Sequence, residues 1–263
     1  MKIIEQFIEG KKQDPALCED GLFINDNYIA VVDGVTSKSD ALFNNKAGGR
    51  AAMEKTCEVL SKADPESEAV DLFININKAV KSVYPGEPTG EAAAFAVVFS
   101  KAKNQIWRVG DCQFMINSNL YVNEKVFDRI VSDVRSLVLE LARIEGKTDK
   151  ELSDNDIGRE FIMPVLKKEH LLANSISRFG FTVLNGTDFD LSQIQIYDVK
   201  EGDTIVLASD GYPFLCSSLR ESEKKLFETI RDNPLCDKEY SSTKGLIPGN
   251  SSFDDRTYIK FRV

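Results

Sequence analysis

The stretch from residue 28 to residue 34, Tyr-Ile-Ala-Val-Val-Asp-Gly, carries a continuous apolar run directly into an acidic residue and a glycine. β-Branched and aromatic residues of this kind are typical of a buried strand. A second short apolar run, Leu22–Ile24, precedes it, and Asn25-Asp26-Asn27 lies between the two. Because Asn and Asp tolerate turn dihedrals, the segment predicts a β-hairpin.

Similar apolar runs recur along the chain and are separated by helical patterns. The predicted strands are Ala92–Phe99 and Gln105–Val109 as a second hairpin, Phe114–Ile116 continuing that sheet, Phe179–Leu184, Gln193–Val199, Thr204–Ala208, and Thr257–Val263 with one buried face. The predicted helices are Asn44–Lys62, a segment with Ala69, Phe73, Ile76 and Val80, a segment opened by Ser218, and a packing stripe of Val126, Ile130, Val134, Leu137, Leu141 and Ile144. Hairpins imply antiparallel pairing, so we expect an α+β fold with two antiparallel sheets and flanking helices.

Composition restricts the classes of function. Among 263 residues, Lys and Arg number 33 and Asp and Glu number 42, which gives a formal charge of −9. This acidic balance argues against a nucleic-acid partner. The single histidine, His170, excludes a His-rich zinc or copper site.

Targeting signals are also missing from the sequence as given. Residues 1–10 lack the apolar stretch of a secretory signal, and the longest apolar run, Ala92–Phe99, is too short to cross a bilayer. Five scattered cysteines form no CxxC pair. We therefore expect a reduced, cytoplasmic protein without a membrane partner, and its oligomeric state stays open.

Acidic residues stand at the ends of several predicted strands. Asp33, Asp111 and Asp210 each have a glycine beside them, and Asp254 directly precedes the final strand. Each Asp-Gly pair alone is more typical of a plain turn. Four such positions are harder to explain in this way, and converging strand ends would build the all-oxygen site that Mg²⁺ or Mn²⁺ prefers.

Other phosphate-transfer signatures are missing. No cysteine is followed by the Cys-x5-Arg pattern of a tyrosine phosphatase, and no Gly-x4-Gly-Lys-Ser/Thr loop is present. Two divalent ions that share a carboxylate can instead activate water and clamp phosphoryl oxygens. The strand-end acids therefore favour metal-dependent phosphate-ester hydrolysis.

The ordered acidic motifs resemble those of the metal-dependent (type 2C) serine/threonine protein phosphatases over residues 19 to 257. The matching motifs are Glu19-Asp20, Val32-Asp33-Gly34, Gly110-Asp111, Ala208-Ser209-Asp210-Gly211 and Asp254-Asp255-Arg256-Thr257. The resemblance implies a β-sandwich with a binuclear Mg²⁺ or Mn²⁺ centre at one edge. Because the site would join residues 19 to 254, we expect one phosphatase-like domain over 1–263, with a helical insertion at about 123–175.

The resemblance also implies roles for individual residues. Asp33 would bridge both ions, the Gly34 carbonyl would be a further ligand, and Asp210 and Asp254 would complete the centre. Asp111, with Asp210, would match a third, weaker metal site. Glu19 and Asp20 would match the acidic pair that orders metal-bound waters. Asp33, Asp210 and Asp20 are therefore the expected catalytic residues.

Two positions depart from the family pattern. Val35 stands where many members have a histidine that is proposed as the general acid, and His170 lies far away in a charged helical stretch. Lys11 and Lys12 stand where the family has a phosphate-binding arginine, so one of these lysines is the expected phosphate ligand. A lysine binds phosphate as a point charge and lacks the bidentate fork of arginine.

The resulting hypothesis is hydrolysis of phosphoserine and phosphothreonine in a phosphoprotein substrate by a water held between two metal ions. Two alternatives remain at this stage. One is a weak or inactive phosphatase-like binding module, which the complete set of main acids disfavours although Val35 and the missing arginine leave room for it. The other is a phosphomonoesterase for small molecules, which the sequence does not distinguish from a protein phosphatase.

Overall fold

Two five-stranded antiparallel sheets form the centre of the protein in a computed structural model that describes residues 1–36, 38 and 41–263. The strands are β1 Lys2–Glu9, β2 Gly21–Ile24, β3 Tyr28–Gly34, β4 Ala94–Ser100, β5 Gln105–Val109, β6 Gln113–Ile116, β7 Asn119–Tyr121, β8 Gln195–Asp198, β9 Thr204–Ala208 and β10 Arg256–Arg262. The first sheet has the order β1-β10-β9-β6-β7 and the second β2-β3-β4-β5-β8. The predicted α+β class with two antiparallel sheets is confirmed.

Helices cover the outer faces of both sheets. Their bounds are α1 Gly48–Lys62, α2 Ala69–Lys81, α3 Val126–Ile144, α4 Asp149–Asp154, α5 Ile157–Leu166 and α6 Leu219–Asp232. Helices α1 and α2 pack on the second sheet, where Phe73 and Ile76 meet Trp107. Helix α6 packs on the first sheet through Leu226, beside Tyr258 of β10. Within the described residues, no helix is long and apolar enough to span a membrane.

The two sheets pack against each other through their inner faces. Val31, Val97 and Phe99 of the second sheet meet Leu207 and Phe261 of the first in one apolar cluster. Side chains of β4 are buried on both faces because this strand lies between the other sheet and the outer helices. Stacked sheets of this kind exclude water from a continuous core and hold strand ends from both sheets at fixed positions.

Both predicted hairpins are confirmed, but three strand predictions were wrong in part. Phe114–Ile116 forms β6 of the first sheet rather than extending the second. Gly110 has a φ of +90°, which turns the chain out of β5 before β6 begins. The second face of β10 is buried at Tyr258, which the α6 layer covers, whereas Lys260 is half-buried and Arg262 is exposed. Strand β1 was not predicted, because its alternating residues include two glutamates.

The predicted strand Phe179–Leu184 forms only isolated bridges, at Phe181 and Leu184. The Asn174 side chain explains part of this difference. Its Oδ1 accepts a hydrogen bond from the Val183 N–H, and its Nδ2 donates to the Val183 carbonyl. A side chain therefore satisfies backbone groups that a neighbouring strand would otherwise pair.

Helix α3 forms as predicted, but its packing face differs from the predicted stripe. Four members of that stripe are exposed, namely Ile130, Leu137, Leu141 and Ile144. The buried face instead carries Phe127, Val131, Arg135, Leu139 and Ala142. Part of this face meets α5, and the buried guanidinium of Arg135 makes polar contacts that an apolar periodicity does not reveal. The expected insertion at about 123–175 contains α3, α4 and α5, and its status as an insertion stays a prediction.

Candidate active site

Four aspartates from four strand ends line one cavity of about 280 Å³, and we call them the cavity carboxylates. Asp33 lies near the end of β3, Asp111 in the turn between β5 and β6, Asp210 after β9 and Asp254 before β10. The structure thus brings together strand ends of both sheets, as the sequence pattern predicted. Gly34 lines the same cavity.

Asp33 and Asp210 face each other without a cationic partner. Among the described residues, no ion pair reaches either carboxylate, whereas Asp111 and Asp254 each have at least one. Desolvation and the charge of Asp210 raise the pKa of Asp33 well above its usual range. Desolvation in the cavity, together with the charges of Asp111 and Asp254, raises the pKa of Asp210 to about 7. A cation bound between the two carboxylates would relieve this mutual repulsion.

Asp254 is instead held by two lysines. Lys11 Nζ lies 2.6 Å from its Oδ1, and Lys244 Nζ forms an ion pair with its Oδ2. Desolvation acts to raise the pKa of Asp254, but the charges of Lys244 and Lys11 outweigh it, so the pKa lies well below its usual range. Asp254 therefore stays ionised, and its two oxygens are already engaged.

Asp111 has one lysine partner, which comes from the start of the helical segment. Lys125 Nζ lies 3.2 Å from Asp111 Oδ2, 2.8 Å from Asp128 and 3.6 Å from Glu169. The same ammonium lies over the Phe95 ring. Asp111 Oδ1 is buried and has no hydrogen-bond partner among the described residues. One oxygen of this carboxylate is therefore left to a ligand that the side chains do not supply.

Three further acids, Glu19, Asp20 and Asp255, are buried beside the cavity, and we call them the buried carboxylates. Asp20 Oδ2 accepts hydrogen bonds from the hydroxyls of Ser209, at 2.6 Å, and Thr257, at 2.8 Å. Desolvation raises the pKa of Asp20 to about 8, although those hydroxyls act in the opposite direction. Asp20 thereby links the β9 and β10 strand ends, and it does not line the cavity itself.

Glu19 and Asp255 connect the remaining strand ends. Asp255 accepts hydrogen bonds from the backbone N–H groups of Lys11 and Glu19, both at 2.8 Å. Glu19 Oε2 accepts a hydrogen bond from the Thr36 hydroxyl at 2.8 Å, and its buried Oε1 has no partner among the described residues. Burial raises the pKa of Glu19. After Asp111 Oδ1, Glu19 Oε1 is therefore the second buried oxygen that could bind a metal-bound water or a cation.

Close backbone contacts make two glycines necessary here. A Cβ on Gly34 would lie 2.5 Å from the carbonyl oxygens of Glu19 and Gly49. A Cβ on Gly49, in the first turn of α1, would lie 2.6 Å from the Gly34 carbonyl carbon and 2.7 Å from Glu19 Oε1. Helix α1 thus begins against the Gly34 backbone, and only glycine leaves room for this approach.

The two lysines predicted as phosphate ligands occupy different environments. Lys12 is exposed and does not line the cavity. Lys11 is buried, and its ammonium contacts Asp254, Asp255 and the Thr36 hydroxyl. Desolvation acts to lower the pKa of Lys11, but Asp254 and Asp255 outweigh it and keep the group charged. Their role as phosphate ligands stays a prediction.

Several residues at the site were not singled out from the sequence. Lys125, Arg159 and Lys244 line the cavity but lie outside the acidic motifs, in segments without a local signal. Ser209 and Thr257 do lie within the motifs, next to the predicted acids, so their motif position was an available signal. His170 is exposed and does not line this cavity.

The oxygen atoms around the cavity match a divalent cation in their chemistry. Oxygen atoms of Asp33, Asp210 and Gly34, with two unpartnered buried carboxylate oxygens nearby, match the chemistry that Mg²⁺ and Mn²⁺ prefer. Over residues 1–36, 38 and 41–263, however, no group of three Asp, Glu, Cys or His side chains is arranged to hold a metal ion as it stands. The residues thus fit a cation at Asp33 and Asp210, while Asp254 would have to exchange its lysine partners.

Comparison with known proteins gives structural matches alone, since no family model and no curated protein sequence matches the chain. The photosystem II phosphatase PBCP aligns over 98% of this chain and 97% of its own, with a TM-score of 0.53 and 15% identity. The serine/threonine phosphatase PstP/Ppp of Mycobacterium tuberculosis aligns over 99% and 98%, with a TM-score of 0.50 and 13% identity. A structure of the PstP catalytic domain with two manganese ions gives 0.50 and 14% over the same shares. The chain therefore has the same fold as these phosphatases.

Proposed function

We propose that this protein hydrolyses phosphoserine and phosphothreonine esters in proteins in a metal-dependent reaction. The observation that carries the proposal is the Asp33–Asp210 pair, which faces a cavity without a cationic partner on the fold of serine/threonine phosphatases. One of the structural neighbours holds two manganese ions. The same cavity carries acids from four strand ends, which is the pattern expected of a site for hard cations.

The chain's own residues would act as ligands and as a scaffold. Asp33, Asp210 and the Gly34 carbonyl would hold Mg²⁺ or Mn²⁺, with Asp254 as a further ligand once its lysines are displaced, and Asp111 would serve a third, weaker site. Bound divalent ions would supply an activated water and neutralise charge on the phosphoryl oxygens. Glu19 would accept a hydrogen bond from a water beside the cavity, because its buried Oε1 has no partner among the described residues.

Proton transfer to the leaving group has no imidazole available in the cavity. Val35 lines it where a histidine would be expected, and His170 lies elsewhere on the surface. Solvent reaches the cavity from outside, so a water molecule would protonate the departing serine or threonine oxygen. We therefore expect slow turnover of substrates with poor leaving groups and faster turnover of aryl phosphates.

The direct test is hydrolysis of an aryl phosphate and of phosphoserine and phosphothreonine peptides with Mn²⁺, with Mg²⁺ and with a chelator. Activity should require a divalent ion, and D33N and D210N should each lower kcat by at least about 10³-fold, since each removes a ligand. Exposed Asp188 lies outside the cavity, so D188N is the charge-matched control and should keep full activity. Undiminished turnover in D33N and D210N would refute the site assignment.

A second candidate function rests on the pairing of Asp254 with Lys11 and Lys244. If these lysines outcompete divalent ions, the protein is a weakly active or inactive module that binds phosphoproteins. Absence of metal-dependent hydrolysis in the parent protein, combined with retained phosphopeptide binding, would favour this function. Turnover of small phosphate esters without turnover of phosphopeptides would instead indicate a small-molecule phosphomonoesterase.

A further inference from the structure

Arg159 lines the same cavity as the cavity carboxylates, although it comes from a distant part of the chain. It lies in the first turn of α5, where the Asp156 side chain caps the helix by accepting a hydrogen bond from the Arg159 N–H at 2.8 Å. Its Nη1 donates to the Thr243 carbonyl at 2.6 Å. This contact holds the guanidinium at the cavity wall, next to the segment that carries Lys244.

No carboxylate among the described residues forms an ion pair with the guanidinium of Arg159, although the charges of Asp156 and Asp254 act on it from a greater distance. Within the part of the chain that the structure describes, the backbone carbonyl of Thr243 is the only hydrogen-bond acceptor of this side chain. Buried arginines elsewhere in the chain have more of their N–H groups engaged: Arg108 donates to Gln195 and to the carbonyls of Cys112 and Tyr121. Arg135 pairs with Asp156, and Arg256 pairs with Glu9 and Glu223. An arginine held at a cavity wall with free N–H groups is suited to an anionic ligand.

The other cations of the cavity are less suited to this role. Lys244 pairs with Asp254. Lys125 pairs with Asp111, Asp128 and Glu169. Lys38 and Arg129 also line the cavity without an ion pair among the described residues. Lys38 Nζ donates to the Thr36 carbonyl at 3.0 Å, but the side chain is exposed and its ammonium lacks the fork of a guanidinium. Arg129 is exposed, and its side chain has no hydrogen bond among the described residues. Holding a long exposed side chain in one place costs conformational entropy, which lowers its contribution to binding.

We propose that Arg159 binds the phosphate group of the substrate through a bidentate contact, in the role for which the sequence offered only Lys11 or Lys12. The inference rests on the proposed function, and it assigns a phosphate-binding residue to helix α5, outside the acidic motifs. The planar guanidinium can donate to two phosphate oxygens at once. The cavity carboxylates, by contrast, repel a phosphate dianion unless cations are bound between them.

Arg135 keeps this wall in place and is fully buried. It contacts Asp156 at 2.7 Å and donates to the carbonyls of Cys236, at 3.2 Å, and Ser242, at 3.0 Å. The buried guanidinium of Arg135 thus joins Asp156, which precedes Arg159, to Ser242, which precedes Thr243. The position of Arg159 is therefore fixed by tertiary contacts rather than by its own helix alone.

The experiment compares R159Q and R159K with the parent protein in two assays. Calorimetric titration with inorganic phosphate in the presence of Mg²⁺ measures phosphate affinity without turnover. Aryl phosphate hydrolysis measures KM, kcat and the inhibition constant of phosphate. Exposed Arg220 on α6, outside the cavity, provides R220Q as a control with the same charge change.

We expect R159Q to weaken phosphate binding about 10- to 100-fold, as for loss of charge-assisted hydrogen bonds, and to raise KM in parallel. R159K should lie between R159Q and the parent, because it keeps the charge and loses the fork. R220Q should match the parent. Thermal unfolding checks that each variant is folded, and R159K alone decides the outcome if R159Q does not fold.

Unchanged phosphate affinity in a folded R159K and R159Q would overturn the inference, even if hydrolysis is normal. Conversely, Arg159-dependent phosphate binding in a protein without metal-dependent hydrolysis would support it while refuting the proposed function. The two failures are therefore distinguishable. A loss of kcat at constant KM and constant phosphate affinity would also contradict a role in binding phosphate.

Discussion

Replacing Asp255 with asparagine should destabilise the protein strongly, although the change removes only one charge. The carboxylate is 3% exposed and accepts hydrogen bonds from the backbone N–H groups of Lys11 and Glu19, one on each oxygen, both at 2.8 Å. Asparagine keeps one acceptor oxygen and turns an NH₂ group toward the other N–H. One buried donor would therefore face a second donor.

The magnitude follows from these contacts. A hydrogen bond to a charged acceptor contributes about 1.5–3 kcal/mol, and an unsatisfied buried donor costs about 1–3 kcal/mol. The Lys11 ammonium, 3.7 Å from Asp255 Oδ2, also loses part of its compensation but keeps Asp254. We expect D255N to lower the free energy of unfolding by about 3–5 kcal/mol, the range for breaking a buried charged network.

Urea unfolding in the presence of chelator, followed by the fluorescence of the single tryptophan, measures this change. Trp107 is fully buried and thus reports on the sheet core. The matched control is D232N at an exposed ion pair with Arg231, which should change stability by less than about 1 kcal/mol. A loss below about 1 kcal/mol in D255N would refute the reasoning, because it would show that these two amides find other partners.

Three further predictions follow from the same site. In the presence of chelator, the free energy of unfolding measured by urea titration should fall as pH rises from about 4 to about 8. The pKa values of Asp20 and Asp210 are raised in the folded state, so the folded state binds more protons than the unfolded state over that range. A rise in stability with pH would contradict this. G49A should disturb the site, because the new Cβ would collide with the Gly34 backbone and Glu19 Oε1. It should lower stability by about 1–3 kcal/mol and activity at least about tenfold. Kinetics like those of the parent would show that α1 can shift to make room for the Cβ. R135M should lower stability by about 3–5 kcal/mol, because it removes the buried guanidinium that pairs with Asp156 Oδ2 and donates to the Ser242 carbonyl. A melting temperature within about 2 °C of the parent would argue against this role of Arg135.

Much of the fold could be predicted because local pattern and tertiary environment agree there. The Tyr28–Gly34 strand and its hairpin partner carry apolar runs and turn residues that specify pairing without distant information. The α3 periodicity correctly predicted a helix but indicated the wrong packing face. Its exposed leucines follow helical spacing as well as the buried residues do, and only the position of α5 determines which face is covered.

The candidate site was predictable as a set of residue types and only partly as a geometry. Strand-end acids beside glycines are visible in the sequence, and the structure places Asp33, Asp111, Asp210 and Asp254 around one cavity. The cations of that cavity were not predictable, because no sequence motif surrounds Lys125, Arg159 or Lys244. Their role depends on which carboxylates they meet after folding.

The sequence by itself determined the strand-end carboxylates, the antiparallel α+β class and the absence of an imidazole at position 35, because each of these depends on local residue order. Only the tertiary structure decided which acids are left without a cation. Lys11 and Lys244 neutralise Asp254, and Arg159 at the cavity wall has no ion pair with any residue that the structure describes. Charge pairing depends on distances of a few ångströms between residues as far apart in the chain as Lys11 and Asp254, and those distances exist only once the sheets and helices have packed.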